Sequence, residues 1–165
     1  MTTYTPAQAR DRGYAVGQIG AFDLALAILG QDGQAVAQVI QRLRTAPLPS
    51  HCAYSCEQQL NLLLTEALEE AGVRAHDIAS TMPTDTLAER ITVALDSLPY
   101  PAAAEHAIAA LVAGDIDPMR RLHGTPGLLA RAVAVVGLRL VVWSRPRLKG
   151  LLEAERARYI RFAGQ

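Results

Sequence analysis

The sequence predicts an all-α fold, a compact bundle of about seven to eight helices formed by one domain that spans residues 1–165. Half of the residues are apolar but only 5% are aromatic, and alanine and leucine, which dominate, are strong helix formers. Proline and glycine recur at intervals that suit helix starts and stops. Several segments repeat apolar residues every three or four positions, and none alternates as a strand does.

Proline after a capping residue marks the predicted start of several helices. Thr5-Pro6, Asp117-Pro118 and Thr125-Pro126 each combine a side-chain N-cap with a proline at the first helical position. Asp85 or Thr86 offers a further cap, and glycines at positions 30, 72, 114 and 124 predict helix ends. These signals place helices near 6–29, 33–44, 51–71, 86–98, 101–113, 118–123, 126–143 and 146–162, with a short turn around 75–80.

Periodicity gives most of these helices one inward face. A representative stripe consists of Leu60, Leu63, Leu64, Ala67, Leu68 and Ala71. The segment 126–143 is apolar almost all round, which predicts that it is the central helix of the bundle. It contains Arg131 and Arg139, about 80° apart at ~100° per residue. We expect these two arginines to reach solvent or to pair with acids from the first two-thirds of the chain.

The charge is sorted by position, although the whole chain is neutral. Residues 1–119, the acidic body, hold 6 Lys and Arg against 14 Asp and Glu, a formal charge of −8. Residues 120–165, the basic segment, hold 10 against 2, a formal charge of +8. Such a split predicts an anionic partner, or two halves that pack against each other.

Nothing in the sequence predicts secretion or membrane insertion. The first ten residues are polar and lack a basic run followed by an apolar core. The most apolar stretch, Gly127 to Trp143, is 17 residues long and contains two arginines, so it is short and unfavourable as a membrane span. Two cysteines four residues apart do not form a disulfide framework. We therefore expect a cytoplasmic protein with no membrane association.

The segment 50–57 holds the densest group of reactive side chains. If Ser50 caps a helix, Cys52 lies in the first turn, where the helix dipole favours a thiolate. His51 is a neighbouring base, and Cys52 and Cys56 have the spacing to share a soft metal ion. Both cysteines also extend the leucine stripe backwards, which predicts burial as small apolar residues. Burial, a metal or redox site, and a catalytic nucleophile are the alternatives.

The other candidate catalytic groups are more scattered. Glu57 ends the same segment, and the adjacent His76 and Asp77 suit an acid–base pair or simply a loop or helix start. His123 lies near a predicted helix end, where the dipole favours a protonated imidazole. The histidines lack the spacing that places metal ligands on one helix face. The sequence therefore predicts no metal and no other cofactor.

Three glycines form a stripe of small residues in the first predicted helix. Gly13, Gly17 and Gly20 recur every three or four residues, and each glycine destabilises a helix by ~1 kcal/mol relative to alanine. They are explained if another backbone or a ligand approaches closely. Tight helix packing and the wall of a ligand cavity are therefore the two interpretations.

The candidate anion- or partner-binding residues lie between positions 139 and 161. They are Arg139, Arg145, Arg147, Lys149, Arg156, Arg158 and Arg161. A solvated helix face, contact with the acidic body or a partner subunit, and nucleic-acid binding are the three interpretations. Nucleic acid is the least expected partner, because the chain is neutral and lacks the polar donors of a recognition helix.

These patterns favour a non-catalytic α-helical protein that binds a protein partner, another copy of itself or a small apolar ligand. A small enzyme with a helix-lined cavity is the alternative, and a nucleic-acid-binding regulator that uses the basic segment is the second. The chain has no P-loop, dinucleotide fingerprint, Gly-x-Ser-x-Gly elbow or Cys-x-x-Cys pair. The specific ligand or reaction does not follow from these residues.

Overall fold

The computed structural model describes residues 6–46, 49–79, 102–112 and 115–163. These residues form seven helices and no strand, which confirms the predicted all-α fold. The helices are α1 (Pro6–Leu29), α2 (Gly33–Thr45), α3 (Pro49–Ala79), α4 (Ala102–Val112), α5 (Asp117–Arg121), α6 (Gly124–Val142) and α7 (Arg145–Ala163). The helix predicted near 86–98 and its caps Asp85 and Thr86 lie outside the described residues.

Helix α3 is longer than the sequence predicted. It continues through Gly72 to Ala79, whereas the glycine predicted an end and a turn around 75–80. That prediction was wrong because one glycine weakens a helix by only about 1 kcal/mol. Residues 73–79, which follow Gly72, contain no proline that would stop the helix.

Two of the predicted N-caps have other roles. Helix α5 begins at Asp117, whose backbone N–H donates to the carboxylate of Asp115 at 3.1 Å. Helix α6 begins at Gly124, two residues before the predicted start at Pro126. The hydroxyl of Thr125 instead accepts a hydrogen bond from Nη2 of Arg44 at 3.1 Å. The prolines thus located these two helix starts to within two residues, but neither Asp117 nor Thr125 is the cap. The third predicted cap, Thr5, lies outside the described residues.

Helix α6 lies at the centre of the bundle, as predicted. Apart from Leu129, every residue from Gly127 to Arg139 is buried. The helix packs against α1, α3, α4, α5 and α7, while α1 also contacts α2, α3 and α7. Leu60 and Leu63 of the predicted stripe on α3 are both buried in this core.

By length and composition, α6 is the one helix in the described part of the chain that could cross a membrane. Within the protein, however, 67% of its apolar window is buried. Its neighbours are other helices, and its two arginines face acids on α3. These are the surroundings of the central helix of a helical bundle.

The glycines of α1 allow close helix packing. A Cβ atom at Gly17 would lie 2.4 Å from the carbonyl oxygen of Cys52 in α3. At Gly20 it would lie 3.0 Å from Cδ2 of Leu43 in α2, and Gly13 is buried on the same helix. Of the two interpretations of this stripe, packing accounts for the surroundings of Gly17 and Gly20.

Candidate functional site

Arg131 in α6 is almost completely buried, with 1% of the residue exposed. Its Nε donates to Oδ1 of Asn61 at 2.7 Å. Its Nη1 donates to the carbonyl oxygens of Leu122 at 2.6 Å and Gly127 at 3.1 Å, and Nη2 to that of Arg120 at 3.4 Å. A buried charge is tolerated when its hydrogen-bonding groups are satisfied in this way. Arg131 therefore ties α3 to the loop between α5 and α6.

Glu57 completes the surroundings of this guanidinium. Its Oε1 lies 3.0 Å from Nη2 of Arg131 and 2.7 Å from Nδ1 of His123. Glu57 and Asn61 are four residues apart in α3 and therefore share one helix face. Burial lowers the pKa of Arg131, while the nearby Glu57 charge acts in the opposite direction.

The imidazole of His123 lies at the outer end of this chain of contacts. A carboxylate only accepts hydrogen bonds, so Nδ1 of His123 carries the hydrogen that Glu57 Oε1 accepts. Nε2 is then the ring nitrogen left to accept or donate elsewhere. The side chains of His123, Glu57 and Arg131 are 69%, 17% and 1% exposed, respectively. The three groups thus connect the core of the bundle to its surface.

An open cleft of about 560 Å³ lies beside these residues, between α2, α3 and the start of α6. We call it the apolar cleft, because five of its lining residues are Ile40, Leu43, Pro49, Ala53 and Leu128. Its polar lining residues are Arg44, Ser50, Tyr54, Glu57, His123 and Thr125. The apolar cleft therefore offers an aliphatic surface with polar groups gathered near the start of α6.

A second open cleft of about 610 Å³ also borders Glu57. We call it the polar cleft, because its lining includes Gln58, Asn61, Thr65, Arg120 and Arg131. Tyr54, Glu57 and His123 line both clefts. The two clefts therefore meet at these three residues.

The two cysteines lie in the core between α1 and α3, and both are fully buried. Burial raises the pKa of the Cys56 thiol to about 12, with smaller contributions from Cys52 and Glu57. Burial also raises the pKa of Cys52. Desolvation therefore outweighs the helix-start effect that favoured a thiolate in the sequence. Neither cysteine lines either cleft.

The remaining candidates from the sequence are not brought together. The ring of His51 packs edge-on against that of Tyr14, with centroids 5.8 Å apart. Its Nδ1 is buried and has no hydrogen-bond partner among the described residues. His76 and Asp77 lie in the last turns of α3. Their side chains are outside the described part of the structure. Of the seven candidate catalytic residues, Glu57 and His123 form a hydrogen bond with each other in the described structure.

Much of the basic segment contacts the acidic body. Arg139 is 4% exposed, and its Nη2 lies 3.3 Å from Oε2 of Glu66 and its Nε 3.7 Å from Oε2 of Glu70. Nε of Arg156 lies 2.5 Å from Oδ1 of Asp23 in α1. These two arginines therefore match one of the three interpretations of the basic residues, namely contact with the acidic body.

The other basic candidates have varied surroundings. Nη1 of Arg145 donates to the carbonyl oxygen of Leu29 at 2.7 Å, and Arg147 lies over the Trp143 ring at 5.7 Å. Lys149 lies 3.8 Å from Glu153 of the same helix, and Arg161 is exposed. Arg158 lines a small cavity of about 170 Å³ between α3 and α7, together with Glu66 and Glu155. These side chains do not converge on one described cleft.

Sequence reasoning missed the residues that organise the site. Asn61, Arg44 and Tyr54 were not among the candidate site residues. The signal that was available is Arg131 itself, an arginine in the middle of the most apolar helix. A charge in that position requires polar partners from other helices, and they mark the site.

Comparison of the chain with protein families, with curated proteins and with solved structures finds no match. Among the described residues, no three His, Cys, Asp or Glu side chains group as ligands for a metal ion. The chemistry of the two clefts and of the Glu57–His123 pair is therefore the basis for assigning a function.

Proposed function

We propose that this protein binds a small molecule with an apolar body in the apolar cleft between α2, α3 and α6. The observation that carries the proposal is the cleft of about 560 Å³, a volume within the range of small-molecule sites. Such sites combine mainly apolar walls with a few polar groups that orient the ligand. Ile40, Leu43 and Leu128 supply the walls, while Arg44 and His123 are polar groups beside them. Burial of an aliphatic chain there gains roughly 25 cal/mol per Å².

Titration of isotope-labelled protein with 1-octanol, followed by backbone amide NMR, tests this function. We expect saturable shifts at residues of the apolar cleft. Ala53→Phe fills the cleft and should abolish the shifts, because the new ring occupies the space of the ligand. Ala154→Phe is the matched control, since Ala154 is exposed on α7 and does not line the cleft. The proposal fails if octanol gives no saturable shifts, or if both variants bind it equally.

The Glu57–His123 pair favours a second function, a small enzyme that uses general-base catalysis. The Glu57 carboxylate 2.7 Å from Nδ1 fixes the tautomer and the orientation of the imidazole, which leaves Nε2 as the base. In such a reaction Nε2 takes a proton from water or from a hydroxyl of the substrate. The adjoining clefts supply space for that substrate.

Hydrolysis of p-nitrophenyl butyrate is a direct test of this second function. His123→Gln should remove activity, whereas His106→Gln, on the exposed face of α4, should retain it. A general base contributes about 10²- to 10⁴-fold to rate, so the two variants should differ by at least that lower factor. Equal rates in the two variants would exclude His123 as the base in this reaction.

We further propose that the protein acts in the cytoplasm. The burial of α6 among other helices supports this location. A fusion to a fluorescent protein, followed by fractionation of cells into soluble and membrane parts, tests it. Recovery in the membrane fraction after a high-salt wash would contradict the proposal.

A further inference from the structure

We propose that the ligand of the apolar cleft is an aliphatic carboxylate whose headgroup is bound by Arg44. This inference rests on the proposed function and specifies the chemistry of the ligand. It follows from the charges that line the apolar cleft together with the buried Arg131 behind Glu57, which leave one unbalanced cation beside an aliphatic wall. The contacts of Arg44 and Glu57 establish that balance.

Arg44 supplies the cation. It lies in the last turn of α2, and its Nη2 donates to the hydroxyl of Thr125 at 3.1 Å. A guanidinium has five N–H donors, so this contact leaves others for a ligand. No carboxylate forms an ion pair with Arg44 within the described ranges, whereas Arg42 lies 3.2 Å from Asp23. The charge of Arg44 is therefore not balanced by a described acid.

Glu57 is the acid that lines the apolar cleft, and its charge is already balanced. Nη2 of the buried Arg131 lies 3.0 Å from Oε1 of Glu57, on the side of the protein core. The same oxygen accepts from Nδ1 of His123. Because the charge of Glu57 is balanced in this way, Arg44 determines the sign of the net charge in the apolar cleft. An anion is favoured there over a cation or a neutral group.

The geometry favours a single carboxylate. The hydroxyl of Thr125 holds the guanidinium of Arg44 across the start of α6, and a group fixed in advance loses less entropy on binding. The planar guanidinium matches a carboxylate through two parallel hydrogen bonds. Ile40, Leu43 and Leu128 then lie beside the aliphatic part of the ligand. One unbalanced cation next to an apolar wall thus fits a monoanion with an alkyl chain.

The test uses three probes with the same chain and different headgroups: octanoate, 1-octanol and octylammonium. Their dissociation constants are measured by NMR titration at neutral pH and low salt. Octanoate should bind about tenfold more tightly than 1-octanol, the ratio expected for a charge-assisted hydrogen bond. Octylammonium should bind most weakly. Added salt should reduce the preference for octanoate, because Arg44 is exposed and its charge is screened.

Arg44→Gln tests the assignment to this residue. It should weaken octanoate binding about tenfold and leave 1-octanol binding unchanged within about twofold. Arg121→Gln removes the same charge from an exposed position on α5 that does not line the apolar cleft, and it is the control. It should leave all three affinities unchanged. The octanol measurement in Arg44→Gln also verifies that the apolar cleft is still formed.

The outcomes separate the two proposals. If none of the three probes binds, the proposed function itself fails. If all three bind with equal affinity, the cleft binds apolar chains but the inference of an anionic ligand is overturned. If octanoate is preferred and Arg44→Gln keeps that preference, the assignment of the headgroup to Arg44 is overturned.

Discussion

Oε1 of Glu57 and Nη2 of Arg131 lie 3.0 Å apart and join the first third of α3 to the centre of α6. The arginine also donates to the backbone carbonyl oxygens of Arg120 in α5 and of Leu122 in the loop that carries His123. One buried side chain therefore fixes both the carboxylate and the loop beside the two clefts. Stability and site geometry are coupled through this residue.

Arg131→Met should destabilise the protein by about 3–5 kcal/mol, because it leaves the partners of a buried charge unpaired. Urea unfolding followed by circular dichroism measures the change. Lys149→Met is the control, since its ion pair with Glu153 is exposed and should contribute about 0–1 kcal/mol. Similar values for the two variants would show that Arg131 does not have the structural role assigned to it.

Two glycines in helices should respond oppositely to alanine. A Cβ at Gly17 would lie 2.4 Å from a backbone oxygen, so Gly17→Ala should destabilise by about 1–3 kcal/mol through overpacking. Gly150 in α7 has no heavy atom within 4 Å of the added Cβ. Gly150→Ala should therefore stabilise by about 0.5–1 kcal/mol through helix propensity. Thermal unfolding of both variants decides whether α1 and α3 pack as closely as described.

The helices were predictable because their signals are local. The stripe that contains Leu60 and Leu63, and the apolar segment that became α6, follow from the spacing of residues within one helix. Their burial could therefore be inferred without knowledge of the topology. The continuation of α3 through Gly72 was missed because the weak effect of a single glycine was given too much weight.

The site was less predictable because its members come from distant parts of the chain. Glu57 and His123 were separate candidates. No pattern in the neighbouring sequence of either residue indicates that Oε1 of Glu57 lies 2.7 Å from Nδ1 of His123. The pairing depends on how α3 packs against α6 and on the loop held by Arg131. The sequence did predict that Arg131 and Arg139 would reach solvent or pair with acids, and both pair with acids on α3.

The buried thiols should be unreactive in the folded protein. With the pKa of Cys56 raised to about 12, roughly one thiol in ten thousand is ionised at pH 8, and the thiolate is the reactive species. Iodoacetamide should therefore label the native protein far more slowly than the urea-unfolded protein, as measured by mass spectrometry. Ala154→Cys adds an exposed thiol on α7 as a positive control. Rapid labelling of Cys52 or Cys56 in the native state would contradict their burial.

Glu155 should make the folded protein less stable as pH rises. Burial, the largest effect, raises its pKa in the folded state above the ordinary value, despite opposing contributions from Arg139 and Arg158. Between the ordinary and the raised pKa, the folded state binds more protons than the unfolded state, so the free energy of unfolding falls as pH increases. Glu155→Gln removes this titration. Its stability relative to the wild type should therefore increase as the pH rises from about 4 to 7.

Urea unfolding of the wild type and Glu155→Gln at several pH values in this range measures the difference. Glu153→Gln provides the control, because Glu153 is exposed on the same helix and its neutralisation should leave most of the slope in place. Parallel stability curves for the wild type and Glu155→Gln would mean that Glu155 titrates alike in both states. The cavity of about 170 Å³ beside Glu155 would then be hydrated well enough to offset its burial.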